Sequence, residues 1–433
     1  MEATIVSPAS AGVNKLRTIY GSNSVSLIAI SRVGATVLTL LSAPIIARAI
    51  GPAGRGETAT ALAAFALVPI IISLGVPLEI RRASVKGNDG PIIRAARDIC
   101  LVLFIPAGFI SALLCYFIFA SMPQSVLLVA AVGVLAAPLT VSWLCDQSVL
   151  IARESYRGVA VMQLCQPLVY VILIFAAMVV NRISVAFVLS ANLAGTVATF
   201  FLGLWLCRAS LRGSRRNRRS VLRGGVRYSG SAIAEAASNR FDQLLILPLI
   251  GAYGAGLYSV AVTISAIPLS IGHALGAHFF NTTARASSDL LNSVSSFALR
   301  AGFVASAAFS LALCAVAPFL VPLVFGQDFS ASIPAVLVSQ FGSVAMTTAY
   351  VGSMVLAAQG KGSLMTAAQL MSLVTGLIAL YALAPRFGAV GASMASALGY
   401  VVLLTVVICA LRVRLSALIP KVGDVRSVIS TLR

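Results

Sequence analysis

Ile50-Gly51-Pro52-Ala53-Gly54-Arg55-Gly56 has a twin two hundred residues later, Ile250-Gly251-Ala252-Tyr253-Gly254-Ala255-Gly256. Both read Ile-Gly-x-x-Gly-x-Gly. Each copy separates two long apolar segments, and each leads into a helix carrying a proline, Pro69 in one case and Pro268 in the other. Gly51, Gly54, Gly56, Gly251, Gly254 and Gly256 read as turn-makers: glycine accepts left-handed backbone and lets helices approach closely. A turn repeated with its flanking helices implies two copies of one unit. In duplicated membrane proteins the working site lies between the copies.

The repeat extends beyond the turns. Val149-Leu150-Ile151-Ala152 and Gln163-Leu164 recur as Val355-Leu356-Ala357-Ala358 and Gln369-Leu370. The 433 residues are 59% hydrophobic and only 10% charged, against about 25% charged in soluble domains. Continuous apolar runs long enough to cross a bilayer recur throughout, which predicts helices rather than barrel strands. Twelve spans are predicted, at about 24–49, 57–80, 99–121, 125–150, 158–180, 183–207, 228–250, 254–280, 300–323, 332–358, 363–384 and 388–411. The fold class is thus an all-α integral membrane protein with 12 transmembrane helices in two pseudo-symmetric six-helix bundles. The bundles are assigned to residues 1–212 and 213–433. Six spans per copy keep both copies in one orientation, related by an axis along the membrane normal.

The net charge of +19 has a topological explanation. With the amino terminus in the cytoplasm, the external side holds only Arg48, Arg55, Arg182 and Arg386, and Arg32 and Arg240 lie inside spans. Every other one of the 31 basic residues falls on the cytoplasmic side. That bias places both termini in the cytoplasm and removes the need for a nucleic-acid partner. The stretch Arg208–Arg227 is the most basic and links the two halves. It also suits anionic lipid headgroups. Residues 1–23 lack the features of a removable signal peptide. The seven cysteines are scattered in or beside apolar segments without metal-ligand spacing. External loops are too short to house a catalytic domain, and no nucleotide-binding glycine loop with its lysine occurs. No catalytic residue, cofactor or metal is assigned, and the chain is not read as an enzyme.

Charges inside spans are costly and mark function or pairing. Arg32, Thr36 and Thr39 share one face of the first span. In the seventh, Ser231, Glu235, Ser238, Asn239 and Asp242 form a polar stripe that must face the interior, whereas Arg240 points away from it on a regular helix. Glu235 and Asp242 are candidates for ion coupling. Asp146 is expected to pair with Arg153, His273 and His278 to be structural, and Glu79 to be interfacial.

Three further stretches complete the pattern: Asn239-Arg240-Phe241-Asp242 followed by Gly256-Leu257-Tyr258-Ser259; Val324-Phe325-Gly326 with Leu356-Ala357-Ala358-Gln359-Gly360-Lys361; and Ala384-Pro385-Arg386-Phe387-Gly388-Ala389-Val390-Gly391. With Ala49-Ile50-Gly51-Pro52, they resemble the polysaccharide transporters of the multidrug/oligosaccharidyl-lipid/polysaccharide exporter superfamily, which include O-antigen and exopolysaccharide repeat-unit flippases. The resemblance covers nearly the whole chain. It implies a V-shaped alternating-access transporter in the bacterial cytoplasmic membrane. The implied substrate is a polyprenyl-pyrophosphate-linked oligosaccharide, held in a cationic cavity. Arg32, Thr36, Thr39, Asn239 and Arg240 are then candidates for the pyrophosphate and sugar contacts. Implied partners are the lipid-linked oligosaccharide, membrane lipids, and a polysaccharide polymerase with its assembly proteins. A cation-coupled multidrug exporter of the same superfamily, a peptidoglycan-precursor flippase and a non-transporting scaffold are the alternatives.

Overall fold

The computed structural model describes residues 8–85, 89–208, 213–287 and 290–413, with the side chains of 8–26, 29, Tyr228 and Ser231 outside the description. The Ser231 member of the polar stripe therefore lies outside the described residues. Nine helices are long and apolar enough to cross a membrane among the described residues. Three of them break at a glycine, which yields the twelve spans predicted. α1 (Pro8–Ser73) breaks at Gly51, with φ 66° and ψ −179°. α9 (Arg218–Arg285) breaks at Gly251, with φ 74° and ψ 173°. α12 (Gly362–Leu411) breaks at Gly388, with φ 56° and ψ −134°. The backbone at Gly51 and Gly251 occupies a region open essentially to glycine alone. Each therefore sets a sharp corner between two arms: 8–50 and 52–73 in α1, 218–250 and 252–285 in α9.

Between the corners the chain rises and falls in short-looped order. α2 (Val76–Ser84) follows α1 through Leu74 and Gly75, both left-handed. The second span therefore ends at Ser73 and not near residue 80 as the hydropathy suggested. α3 (Gly90–Val102) and α4 (Phe104–Phe117) make the third span, and α5 (Gln124–Leu135) with α6 (Ala137–Ala152) the fourth. α7 (Tyr156–Val179) and α8 (Val185–Cys207) finish the first six; Ser184 caps α8 by accepting from Phe187 N. α10 (Leu291–Phe325), a 3-10 turn (Gln327–Ser332) and α11 (Ile333–Ala358) connect α9 to α12. The end carrying Gly51, Gly251 and Gly388 is the turn end; the end carrying Arg208 to Arg227 is the basic end.

Small residues let these helices pack closely, as membrane interiors require. A Cβ added at Gly195 would lie 2.7 Å from Gln166 O, and one at Gly399 would lie 3.0 Å from Ser372 O. Large apolar side chains such as Ile105, Phe109, Leu311 and Phe319 point outward, the arrangement that hydrocarbon solvent selects.

Gly51→Ala and Gly251→Ala should each lower the unfolding free energy by about 1–3 kcal/mol, because alanine is barred from that backbone region. Gly230 lies in regular helix with open space around it. Gly230→Ala should be neutral, or stabilising by up to about 1 kcal/mol. Chemical denaturation in detergent micelles measures all three.

Candidate functional site

The two glycine motifs meet each other. A Cβ on Gly56 would be driven into the carbonyl oxygen of Ala252, and one on Gly256 into the carbonyl oxygen of Pro52. The pairs 52–256 and 56–252 are the same contact seen from either half, the signature of a two-fold relation. With no side chain between them, the second arms of α1 and α9 cross backbone to backbone and close the turn end. Gly51 and Gly251 make the corners, with nothing within 4 Å of an added Cβ. Gly54 and Gly254 pack their own isoleucines, Ile50 and Ile250. Turn-making was thus only part of the motif's role.

Two arginines fasten the same end. Arg48, on the first arm of α1, donates to Leu323 O among the last carbonyls of α10. Those carbonyls lack helical partners and favour a cation. Arg55, on the second arm of α1, donates to Thr263 Oγ1 of α9 at 3.3 Å. Arg55 was expected in an external loop, but its side chain is buried.

Below the crossing the two sides of the interface differ. The second arm of α1 follows the first arm of α9 to the basic end. Thr60 donates to Gln243 O at 3.2 Å, and a Cβ on Gly225 would meet Leu74 O at 2.7 Å. On the opposite side, the first arm of α1 and the second arm of α9 each pack on their own half. Ser31 donates to Gln163 of α7 at 2.6 Å. Gly272 faces Thr347, and Gly276 faces Tyr350 and Met354 of α11. A cleft opens there.

Arg32, Thr36 and Thr39 are exposed along this cleft. The two threonines donate to Arg32 O and Ala35 O of their own helix, leaving hydroxyl lone pairs outward. Glu235 and His273 are exposed as well, and His273 stands edge-on to Tyr350 at 4.6 Å between ring centroids. Arg32 lies within electrostatic reach of His273 and Tyr350, and Glu235 within reach of Tyr350. Both halves of the molecule therefore present polar groups to one space. Asn239, one turn from Glu235, is half-buried.

The polar stripe divides. Ser238 donates to Gln369 O of α12 at 3.2 Å, and Asp242 turns into the second bundle. Tyr258 donates to Asp242 Oδ2, Ser396 donates to the same oxygen at 3.2 Å, and the two hydroxyls are 2.8 Å apart. A cavity of about 30 Å³ adjoins, bordered by Ser238, Asp242, Ser372, Ser396 and Tyr400. It has room for about one water or a small cation. Arg240 is exposed, donates to Gln243 Oε1 at 3.3 Å, and lies within electrostatic reach of Asp242 and Tyr400 without forming an ion pair.

Elsewhere charges are matched. Asp146 does not pair with Arg153 as its spacing suggested. Arg97 of α3 binds both Asp146 and Ser142, and Arg153 binds Asp89 at 2.6 Å. Glu79 is buried rather than interfacial, packed on Gly224 and bonded to Arg82 at 3.0 Å. Arg97, Arg55 and Tyr350 had not been singled out. The first pairs across helices that are remote in sequence, and Arg55 had been placed outside the membrane.

A family model described as polysaccharide biosynthesis protein matches residues 22–277. No curated protein sequence matches the chain. Among solved structures, an inward-closed structure of the lipid II flippase MurJ aligns with a TM-score of 0.74 at 11% identity, covering 94% of this chain and 90% of that one. An inward-facing multidrug resistance MATE family transporter of the MOP superfamily aligns with 0.71 at 17%, covering 90% and 98%. An outward-facing one aligns with 0.59 at 15%, covering 91% and 96%. At these identities the likeness is one of fold.

Gly56→Ala and Gly256→Ala should each separate the turn end. Spin labels on Arg182→Cys and Phe387→Cys, in a background without native cysteines, should move apart by several ångströms in double electron–electron resonance. An unchanged distance would show that the crossing yields without opening. Tyr258→Phe and Ser396→Ala share one acceptor, so their double-mutant cycle should show a coupling of about 0.5–3 kcal/mol in stability.

Proposed function

Because the chain belongs to the polysaccharide biosynthesis protein family, and its fold is that of the MOP-superfamily transporters, we propose that it is a flippase for a lipid-linked saccharide. The reading is specific: a polyprenyl-pyrophosphate-linked oligosaccharide moves from the cytoplasmic to the outer leaflet, for exopolysaccharide, capsule or O-antigen synthesis. In this reading the basic end faces the cytoplasm, which the distribution of lysine and arginine supports, and both termini lie there. The two halves, 1–212 and 213–433, rock against each other.

The observation that carries this reading is the first arm of α1. Its polar residues Arg32, Thr36 and Thr39 are exposed, and so are Ile30, Val33, Val37 and Leu41. On a helix of 3.6 residues per turn these two sets lie about 140° apart. One rim therefore offers wet and oily surfaces side by side. A drug-sized molecule needs no such edge. A lipid with a hydrophilic head does, because the head must leave ~30 Å of hydrocarbon while the tail remains in it.

In this reading Arg32 and Arg240 bind the pyrophosphate, since guanidinium meets phosphate oxygens through paired donors. Thr36, Thr39, Asn239 and Glu235 supply hydrogen-bonding surface for sugar hydroxyls. Asp242, beside its small cavity, is the site for a coupling cation. The multidrug alternative is weaker here because Asp242 is already engaged by Tyr258 and Ser396. The polymerase and assembly proteins that act on the exported unit are the partners.

Arg240→Ala and Arg32→Ala should each lower flipping of a polyprenyl-pyrophosphate oligosaccharide in proteoliposomes at least tenfold, with insertion and stability unchanged. Undiminished flipping in both variants would remove the phosphate contact from the mechanism. Substrate-independent drug resistance in a sensitised strain would favour the exporter reading instead.

A further inference from the structure

Arg55 is the anomaly of the interface. It lies in the glycine motif, on the second arm of α1, and only 9% of its surface is exposed. Among the described residues its one hydrogen bond is the 3.3 Å contact to Thr263 Oγ1 across the interface, and Nε has no partner. Among the described residues no carboxylate forms an ion pair with it. The polar group that acts on it from its own half is the phenol of Tyr170 on α7, which carries no charge at neutral pH. Arg97 is the useful contrast. It is also largely enclosed, and it has Asp146 and Ser142. A desolvated guanidinium without a counter-ion is costly, and five N–H donors are too many for one threonine.

Depth decides what could supply the counter-ion. Thr263 is seven residues below Gly256, about 10 Å along the helix axis. The Arg55 guanidinium therefore hangs beneath the glycine crossing and points down the interface. Arg240 is eleven residues below Gly251, about 16 Å, and Arg32 is nineteen below Gly51, about 28 Å. Three guanidinium groups thus stand at descending levels, Arg55 and Arg32 on the interface and Arg240 beside Asp242 and Tyr400 of the second half, and none has an ion-pair partner within 4 Å among the described residues.

We propose that Arg55 is a second phosphate-binding position, at the closed end of the cleft, which receives the pyrophosphate of the substrate head after it leaves Arg32 and Arg240. The assignment rests on the reading of the substrate as a pyrophosphate-linked lipid. Guanidinium and phosphate meet through paired hydrogen bonds, and the site is dry, so the contact is strong when made. A resident carboxylate would fill the position permanently. Its absence leaves the position free for an anion that arrives and departs with each cycle.

The test uses the full chain in phosphatidylcholine nanodiscs, titrated calorimetrically with inorganic pyrophosphate. Wild type should bind, Arg55→Gln should bind at least tenfold more weakly, and Arg55→Lys should fall between. Arg240→Gln is run in parallel. Equal binding by Arg55→Gln and wild type, with Arg240→Gln weakened, overturns the Arg55 assignment and leaves the flippase reading standing. No binding by wild type overturns the phosphate reading of the cleft, and Arg55 with it. Thermal unfolding gives the second readout. Arg55→Gln removes a buried charge that lacks a counter-ion, so its Tm should be no lower than that of wild type. A large drop in Tm with unchanged pyrophosphate affinity would make Arg55 a structural residue.

Discussion

Four backbone groups hold this architecture in register. Pro52 O faces Gly256, Ala252 O faces Gly56, and nothing larger than hydrogen separates them. Van der Waals contact drives helix association in lipid, since tails are as apolar as leucine, and such contact is densest where side chains are absent. The pairing is also reciprocal. A methyl group on either glycine disturbs both crossings, because each arm is fixed by the other. One point on the pseudo-two-fold axis therefore closes the turn end, and the arms below it are free to pack differently on the two sides.

The two sides below the crossing are not symmetric. Gly75 and Gly225 repeat the close approach near the basic end, and Thr60 reaches Gln243 between them. The second arm of α1 and the first arm of α9 thus form a spine along the whole interface. The pseudo-equivalent pair, the first arm of α1 and the second arm of α9, lacks that second crossing. Gly272 and Gly276 are spent on α11 instead. A duplicated chain therefore opens on one side as a book does, with exposed polar residues along the free edges. The repeat supplies the two covers, and its departure from symmetry supplies the opening.

Much of this was legible in the sequence. Twelve apolar runs of spanning length cannot be anything but spans, and the twin glycine motifs located both corners. What was lost concerns contacts between helices. Asp146 was assigned to Arg153 because seven residues bring them to one face. The structure gives it Arg97 from α3, because a carboxylate in a helix interior is satisfied by the cation enclosed with it, and Arg153 sits nearer the edge with Asp89. Glu235 and Asp242 shared a stripe, yet the stripe is wide enough to address two environments, one wet and one sealed by Tyr258. Arg55 was misplaced although its twin held the clue. Ala255 occupies the equivalent position, and it is fully buried. A site that encloses alanine in one half encloses arginine in the other, and a charge forced into that site cannot belong to a loop.

Paired and unpaired charges are distributed unevenly. Toward the basic end four acids have basic partners: Asp89 with Arg153, Asp98 with Arg215 and Arg218, Asp146 with Arg97, Glu79 with Arg82. Matching there keeps helices together at low electrostatic cost. Arg32, Arg240 and Arg55 stand without ion pairs among the described residues, although Asp242 acts on Arg240 from its own helix. Their field is weakly screened where the surroundings are hydrocarbon and protein. At an effective dielectric near 20, a charge pair at 4 Å is worth about four times its value in water. A carboxylate at contact distance from any of the three would cancel most of its field, as Asp146 does for Arg97. Glu235 is exposed on the same side and Asp242 acts on Arg240, yet neither closes an ion pair with these arginines among the described residues, so the positive charge is tempered but not neutralised at contact distance.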